Sequence, residues 1–265
     1  MEFLLIALLY LLTGTVAGLC AGLFGVGGGL IVVPALAYVF GYLNVSSASI
    51  MQLAVGTSLA VIIVTSLSSV VAHHKHGAVE WLLFARMAPF IVAGSLLGAY
   101  FATRVPSDSL KLIFGVVEII IAVQLFYEFR PQPARALPGV AGLGAVSAGI
   151  GFISAVAGIG GGTLTVPFLT WCNIAIHRAI ATSAACGLPI AVAGSVGFML
   201  LAPATADLPE QAIGFVYWPA LLGIAFASML AAPWGARLAH RMSTDKLRRR
   251  FALFLLFIGL LMLIK

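Results

Sequence analysis

Long apolar runs alternate with short polar or glycine-rich breaks along the whole chain. Five runs in the first half and five in the second lie at about 3–24, 29–43, 48–72, 81–103, 110–128, 138–157, 162–175, 178–202, 215–238 and 250–264. A membrane-crossing helix needs roughly 20 apolar residues, with about 17–25 tolerated. Eight runs reach or approach that length. The pattern predicts an all-α integral membrane protein with about 8 full transmembrane helices and two short, glycine-broken segments.

The two short runs each begin at a glycine cluster. The first opens within Gly25-Val26-Gly27-Gly28-Gly29, and the second opens within Gly158-Ile159-Gly160-Gly161-Gly162. Each short run also ends at a polar or glycine-containing patch. Short spans interrupted by Gly and Pro at corresponding places of two halves are the best sequence indication of a transporter's binding site.

The glycine clusters belong to an internal repeat. Gly18 and Gly151 are 133 positions apart, and seven residues between Gly18 and Pro34 are identical in the second copy. Thr57-Ser58 recurs as Thr182-Ser183, and the pair Gly98-Ala99 recurs 137 positions later. Such a long period indicates two halves that are built alike. The predicted units are a first transmembrane repeat at 1–129, a linker at 130–137 and a second repeat at 138–265.

Composition and charge set the class and the orientation. The chain is 62% hydrophobic and only 8% charged, whereas soluble domains carry about 25% charged residues. Its basic residues cluster between apolar runs, which is typical of cytoplasmic loops and argues against nucleic-acid binding. The loops predicted to be cytoplasmic are those around His73-His74-Lys75-His76, the linker, Arg178 and 237–250.

The orientation that follows places both termini outside. Since each half has five segments, an odd number, the second half enters the membrane upside down, which makes an inverted repeat. The segment 202–214 contains Asp207 and Glu210 and no basic residue, which suits the outer side. Arg104 and Lys111 are also predicted to lie outside, which is contrary to the tendency of basic residues to lie on the cytoplasmic side. We expect a multi-pass protein of a bacterial inner (plasma) membrane.

The glycine clusters are the first candidate for substrate binding. Irregular backbone is tolerated at membrane depth only where protein or a water-filled cavity surrounds it. If each cluster opens the following helix, its free N–H groups and positive helix end can bind an anion. The predicted binding residues here are Gly27, Gly28, Gly29, Gly160, Gly161 and Gly162. The alternative is that these glycines only allow close helix packing.

Polar side chains in the apolar runs form a second candidate set. Their hydroxyl and amide groups can bind an anion without a buried charge, and the duplicated Thr-Ser pairs are the strongest members. The set comprises Thr57, Ser58, Thr182, Ser183, Gln52, Thr163 and Asn173. The alternative for the hydroxyls is a bond to their own helix or to a neighbouring one.

Glu118 lies well inside the run 110–128. Burying a carboxylate at that depth of the membrane costs free energy, so such a residue is by default a candidate for a functional role. We predict that it couples transport to protons; a neutral glutamic acid bonded to nearby backbone is the alternative.

His73, His76 and Glu80 share a helical spacing, but a solvated loop explains them better than a metal site. No catalytic set, metal or cofactor is expected.

These motifs resemble the sulfite exporter TauE/SafE (TSUP) family. The resemblance rests on Gly18-x6-Gly25-x-Gly27-Gly28-Gly29-x4-Pro34, on Gly56-Thr57-Ser58, on His73-His74 and on the second copies of the glycine and Thr-Ser motifs. Ala181 replaces the glycine of the second Gly-Thr-Ser motif. The resemblance implies a transporter of small organic or inorganic anions, often sulfur oxyanions such as sulfite, sulfoacetate or thiosulfate. Export is implied by the family name alone.

The combined prediction is an anion transporter working by alternating access, with an uncoupled anion channel or a carboxylate transporter of the same fold as alternatives. A membrane-embedded enzyme has no clustered acid, base or metal set to support it. The expected partners are a small anionic substrate and membrane lipid, without nucleic acid, and with self-association into a homo-oligomer left open.

Overall fold

A computed structural model describes residues 2–24, 28–75, 77–127, 136–239 and 244–264. The chain forms ten helices and one small hairpin within these ranges. In chain order they are α1 (Glu2–Phe24), α2 (Gly29–Tyr42), α3 (Ile50–Lys75), α4 (Trp81–Arg104), α5 (Ser107–Phe126), α6 (Val140–Ala157), α7 (Gly162–Trp171), α8 (Ile176–Leu200), β1 (Ala212–Ile213), β2 (Val216–Tyr217), α9 (Trp218–Ala239) and α10 (Thr244–Ile264).

The ten apolar runs therefore correspond to the ten helices, and the all-α membrane architecture is confirmed. The two glycine-broken segments are the shortest, with 14 residues in α2 and 10 in α7. Seven helices in the described ranges are long and apolar enough to cross a membrane. The remaining long helix, α10, has 21 residues but begins with a basic stretch, so only its later part is apolar.

Two local features differ from the predicted pattern. His73, His74 and Lys75 form the last turn of α3 and not a loop, while His76 lies outside the described residues. Residues before α9 form a two-stranded hairpin, in which Ala212 pairs with Tyr217. Gly214 turns this hairpin with a φ of 53°, a conformation that favours glycine. Hydropathy alone cannot separate such a short hairpin from the start of the following helix.

The two outer helix pairs make matching contacts. α1 packs along α9, and α4 packs along α6. A Cβ at Gly98 would lie 2.5 Å from the Phe152 carbonyl oxygen, and one at Gly235 would lie 2.2 Å from the Leu19 carbonyl oxygen. These pairs correspond under the sequence spacings of 137 and 133. The duplicated glycines thus let the outer helices approach closely, as small residues do in membranes.

The inner pair, α3 and α8, runs antiparallel. Position 56 on α3 lies against Phe198 on α8, Gly194 lies against Leu59, and Gly187 lies against Ser66. An inverted repeat predicts this arrangement, because equivalent helices of the two halves then point in opposite directions. Twelve α3 residues from Met51 to Ile62 are buried without a break, so this pair forms the centre of the bundle.

Hydrogen bonds join segments between helices at both ends of the bundle. The Glu80 carboxylate accepts a hydrogen bond from the Arg178 guanidinium, which joins the segment before α4 to the start of α8. At the other end, Gln52 Nε2 donates to the Val105 carbonyl oxygen at 2.8 Å. Two of the segments predicted to be cytoplasmic, the one that follows α3 and the one that contains Arg178, therefore lie side by side.

Replacing Gly98 by alanine tests the close approach of α4 and α6. The new methyl group would overlap the Phe152 carbonyl, and we expect a loss of about 1–3 kcal/mol in the free energy of unfolding. Gly149→Ala on α6 is the control, since a Cβ there meets nothing within 4 Å. That change should be neutral or gain up to about 1 kcal/mol in helix propensity. The unfolding temperatures of both purified variants in detergent are compared, and equal temperatures would contradict the prediction.

Candidate functional site

The start of α2 presents backbone N–H groups inside the protein. Gly28 precedes α2, and no side chain caps the helix. The N–H groups of Ile31 and Val32 both donate to the Gly28 carbonyl oxygen at 3.0 Å. The three N–H groups before them have no partner within the helix, as at every helix start. Gly28 and Gly29 are buried, whereas Gly27 lies outside the described residues.

α7 begins in the same way. Gly161 precedes the helix without a side-chain cap, and the Thr165 N–H donates to its carbonyl oxygen at 2.9 Å. Gly160 and Gly161 are buried. The Thr163 hydroxyl donates to the Gly160 carbonyl oxygen at 3.2 Å, so its proton stays within its own turn.

The two helix starts meet in the interior. A Cβ at Gly29 would lie 2.3 Å from the Gly158 carbonyl oxygen and 2.9 Å from the Ile159 Cα, so only glycine allows this contact. Gly158 itself has a φ of 65°, in the left-handed region. Three residues separate Gly158 from Gly161, a reach of at most about 11 Å. The start of α2 therefore touches the turn before α7, and the first residues of both helices lie in one part of the interior.

Helices α3 and α8 enclose this region. The Ser58 hydroxyl on α3 donates to the Gly158 carbonyl oxygen at 2.9 Å, which fixes the turn before α7. A Cβ at Gly161 would lie 3.0 Å from both the Ser183 carbonyl oxygen and the Gly187 nitrogen on α8. The Ser183 hydroxyl donates to the Ile180 carbonyl oxygen of its own helix at 2.8 Å. The two equivalent serines thus make different bonds.

The paired threonines anchor the segments that lead into α9 and α4. Thr57 Oγ1 accepts a hydrogen bond from the Tyr217 N–H at 3.0 Å, and Thr182 Oγ1 accepts one from the Glu80 N–H at 3.0 Å. Tyr217 and Glu80 are each the residue before a helix, and they are 137 positions apart. Each threonine therefore joins its own half to the other half through a part-buried backbone donor.

Gln52 and Asn173 lie away from the glycine clusters. Gln52 binds Val105 and leaves its own Oε1 buried without a partner in the described structure. Asn173 is exposed beyond the far end of α7, about 15 Å from the helix start. Its φ of 64° and the bond from the Ile174 N–H to the Leu169 carbonyl form a helix-ending Schellman motif. Asn44 ends α2 in the same way with a φ of 54°.

Glu118 is fully buried on α5, distant in sequence from both glycine clusters. Neither carboxyl oxygen has a hydrogen-bond partner among the described residues. Ala122, one turn further along α5, lines a cavity of about 190 Å³ between α5 and α10. The equivalent position on α10 is Leu255, also fully buried, so the carboxyl group exists in one half only.

Within the described ranges, no three His, Cys, Asp or Glu residues lie close enough together to bind a metal ion. His74 Nδ1 accepts a hydrogen bond from Trp81 Nε1 at 3.2 Å. His73, His76 and Glu80, for which the sequence favoured a solvated loop over a metal site, lie only partly within those ranges, since His76 is outside them.

Comparisons with known proteins place this arrangement in a family. The model of the family described as sulfite exporter TauE/SafE matches residues 10–262. The chain belongs to the sulfite exporter TauE/SafE family. A probable membrane transporter protein of Haemophilus influenzae is 35% identical over 260 residues, covering 97% of this chain and 98% of the relative.

Other relatives match over their full length as well. The probable membrane transporter protein YunE of Bacillus subtilis is 28% identical, with 98% of this chain and 96% of the relative covered. A probable membrane transporter protein of Methanocaldococcus jannaschii is 27% identical, with 99% and 97% covered. No solved structure matches the chain significantly. The TauE/SafE chain described here is therefore a member of a membrane transporter family.

Sequence reasoning missed Ser66 in this TauE/SafE protein. Its hydroxyl oxygen on α3 lies 3.0 Å from where a Cβ at Gly187 would be, and the Gly161 nitrogen lies 3.5 Å from the same point. Ser66 therefore faces the start of α7 from the opposite helix. It has no hydroxyl counterpart in the second half, where position 191 is alanine, so a search for duplicated residues passes over it.

Thr57→Val tests the anchoring role of the paired threonines. The change keeps the side-chain shape but leaves the Tyr217 N–H without its acceptor, and we expect a loss of about 1–3 kcal/mol in the free energy of unfolding. Thr57→Ser keeps the acceptor and should lose less. Thr182→Val should act in the same direction through Glu80. The unfolding temperatures of the purified variants are measured. If Thr57→Val is as stable as Thr57→Ser, the anchoring role of the threonine is refuted.

Proposed function

We propose that the protein carries small anions across the membrane, with sulfur oxyanions such as sulfite or sulfoacetate as the substrate class. The observation that supports this is the meeting of the two glycine-broken helix starts, where Gly29 packs directly on Gly158. Helix N-termini bind oxyanions through free N–H groups and the positive end of the helix dipole. Two such ends in one enclosed place favour an anion over a cation or a neutral solute.

Transport in this proposal proceeds by alternating access. α2 and α7 belong to different halves, so relative movement of the halves exposes the shared site to one side and then to the other. The Thr57 and Thr182 bonds, which join the halves near opposite ends of the bundle, form and break in turn. Export is the direction that the family description favours.

Glu118 provides proton coupling in this proposal. An unpartnered, fully buried carboxyl group is tolerated best when it is neutral, and it can release its proton only when water or substrate reaches it. The cavity between α5 and α10 is lined by Ala122, one turn from Glu118, and is the opening that water would use in this proposal. An uncoupled anion channel of the same fold would not need it, and accumulation against a gradient separates the two.

Thermal unfolding against a panel of anions tests the substrate class. The panel contains sulfite, thiosulfate, sulfoacetate, sulfate and short carboxylates. A ligand that binds only the folded state at about 100 times its Kd adds roughly 2.7 kcal/mol of stability. We expect a selective rise in unfolding temperature with a sulfur oxyanion, and loss of that rise in Gly161→Leu, whose side chain would push the start of α7 away from the backbone of α8 at Ser183 and Gly187.

The matched control for that variant is Gly41→Leu on α2, because a Cβ at Gly41 meets nothing within 4 Å. It should keep the anion-dependent rise. A rise with carboxylates alone would replace sulfur oxyanions by carboxylates as the substrate class. An unaltered rise in folded Gly161→Leu would refute the glycine site.

Glu118→Gln tests the coupling. The amide keeps the size of the side chain but cannot exchange a proton, so accumulation driven by a pH gradient should be lost in proteoliposomes. Exchange of anion for anion at equal pH should remain at about the native rate. Glu210→Gln is the control, since this carboxyl group lies exposed in the segment before the hairpin. Gradient-driven accumulation by Glu118→Gln would exclude Glu118 as the coupling residue.

A further inference from the structure

The ion pair between Glu80 and Arg178 joins the two halves at the end of the bundle predicted to be cytoplasmic. Arg178 lies in the first turn of α8, and Glu80 is the last residue before α4. The Glu80 carboxylate binds the Arg178 guanidinium, while the Glu80 N–H donates to Thr182 Oγ1 at 3.0 Å. Thr182 is one turn after Arg178, so both bonds use one face of α8. Both must break if the segment before α4 moves away from α8.

The equivalent place in the other half has no charges. Tyr217 takes the position of Glu80, and Leu53 takes that of Arg178, by the same spacings that relate the threonines. There the Tyr217 ring packs edge-on against Phe40, with ring centroids 5.6 Å apart. The threonine anchor is therefore common to the two ends of the bundle, whereas the ion pair occurs at one end only. Because the threonine anchor forms without charged residues at one end of the bundle, the anchor at the other end does not require the ion pair.

Arg178 also lies on the way from the surface to the glycine clusters. Five residues of α8, about 7.5 Å along the helix, separate it from Ser183. The Ser183 carbonyl oxygen lies 3.0 Å from where a Cβ at Gly161 would be. The Arg178 side chain is 60% exposed and that of Glu80 is 34% exposed, so solvent reaches the pair. Exposed ion pairs contribute little to folding stability, which leaves its position to be explained.

Building on the proposed function, we propose that Arg178 is the cationic residue that receives the substrate anion at this end and passes it to the start of α7. Glu80 acts as a built-in competitor that occupies the guanidinium while the segment before α4 is in place. An arriving anion displaces the carboxylate, since a guanidinium binds carboxylate and oxyanions through the same donors. Arg178 is thus a capture and specificity residue outside the glycine site.

The test measures KM, which this competition predicts to rise when Arg178 is replaced and to fall when Glu80 is replaced. Initial rates of sulfite uptake are measured in inside-out membrane vesicles, whose outer face is the cytoplasmic side of the protein. Arg178→Gln removes the receiving charge and should raise KM about fivefold, while Arg178→Lys should recover part of that loss. Glu80→Gln removes the competitor and should lower KM about twofold to threefold. The maximal rates should change less than KM.

Arg86→Gln is the matched control, because Arg86 is an exposed arginine on α4 close to the same end. It removes an equal charge and should leave KM within about twofold of the native value. Unfolding temperatures of all variants show that each is folded. A purely structural ion pair would move KM in the same direction in Arg178→Gln and Glu80→Gln, and that result, or an unchanged KM in both, would overturn the proposal.

The outcome also separates this inference from the function on which it rests. Absence of uptake by the native protein of every anion in the panel above would remove the proposed function and the capture role together. Uptake that Gly161→Leu abolishes but Arg178→Gln leaves at native KM would keep the glycine site and reject Arg178 alone.

Discussion

The contact between Gly29 and Gly158 imposes the constraint on which the rest of the structure depends. Two helices that begin inside a membrane protein leave N–H groups without water to bind them, so protein must enclose the break. α3 and α8 provide this enclosure, through the bond from Ser58 to the Gly158 carbonyl and the close packing of Gly187 against Gly161. The unbroken burial of Met51 to Ile62 follows from that position. An enclosed region with two uncapped helix starts is thus a consequence of the fold itself.

The outer helices obey a different constraint. Lipid tails are as apolar as leucine, so the hydrophobic effect gives outer helices no reason to associate, and close van der Waals packing must hold them. Glycine makes this close packing possible, because it lets one helix lie directly on the backbone of its neighbour. The contacts are those of Gly98 with Phe152 and of Gly235 with Leu19. These contacts tie α1 to α9 and α4 to α6, which joins the first half to the second on both flanks. Glycine therefore breaks helices at the centre and packs them at the edges.

The sequence contained most of the fold because membrane spans and broken helices leave strong hydropathy patterns. The starts of α2 and α7 followed from Gly28 and Gly161, whereas α7 ends at Trp171, before the predicted end of its apolar run at 175. The chemistry of single polar residues was harder to predict. Thr57 and Thr182 carry a duplicated motif, yet the backbone N–H groups that they bind are more than 100 residues away in sequence. The helix-ending conformation of Asn173 could not be predicted either, because a φ of 64° leaves no mark in the hydropathy pattern.

Residues that have no counterpart in the other half matter most for the direction of the proposed transport. Two identical inverted halves would give the inward-facing and outward-facing states equal free energies, because exchanging the halves converts one state into the other. Any bias, and any asymmetric use of a proton, must therefore come from residues that lack a counterpart. Glu118 opposite Leu255, and the pair of Glu80 and Arg178 opposite Tyr217 and Leu53, are such residues. In the proposed transporter the duplicated residues build the scaffold that both states share, and these unmatched residues are where the two states can come to differ.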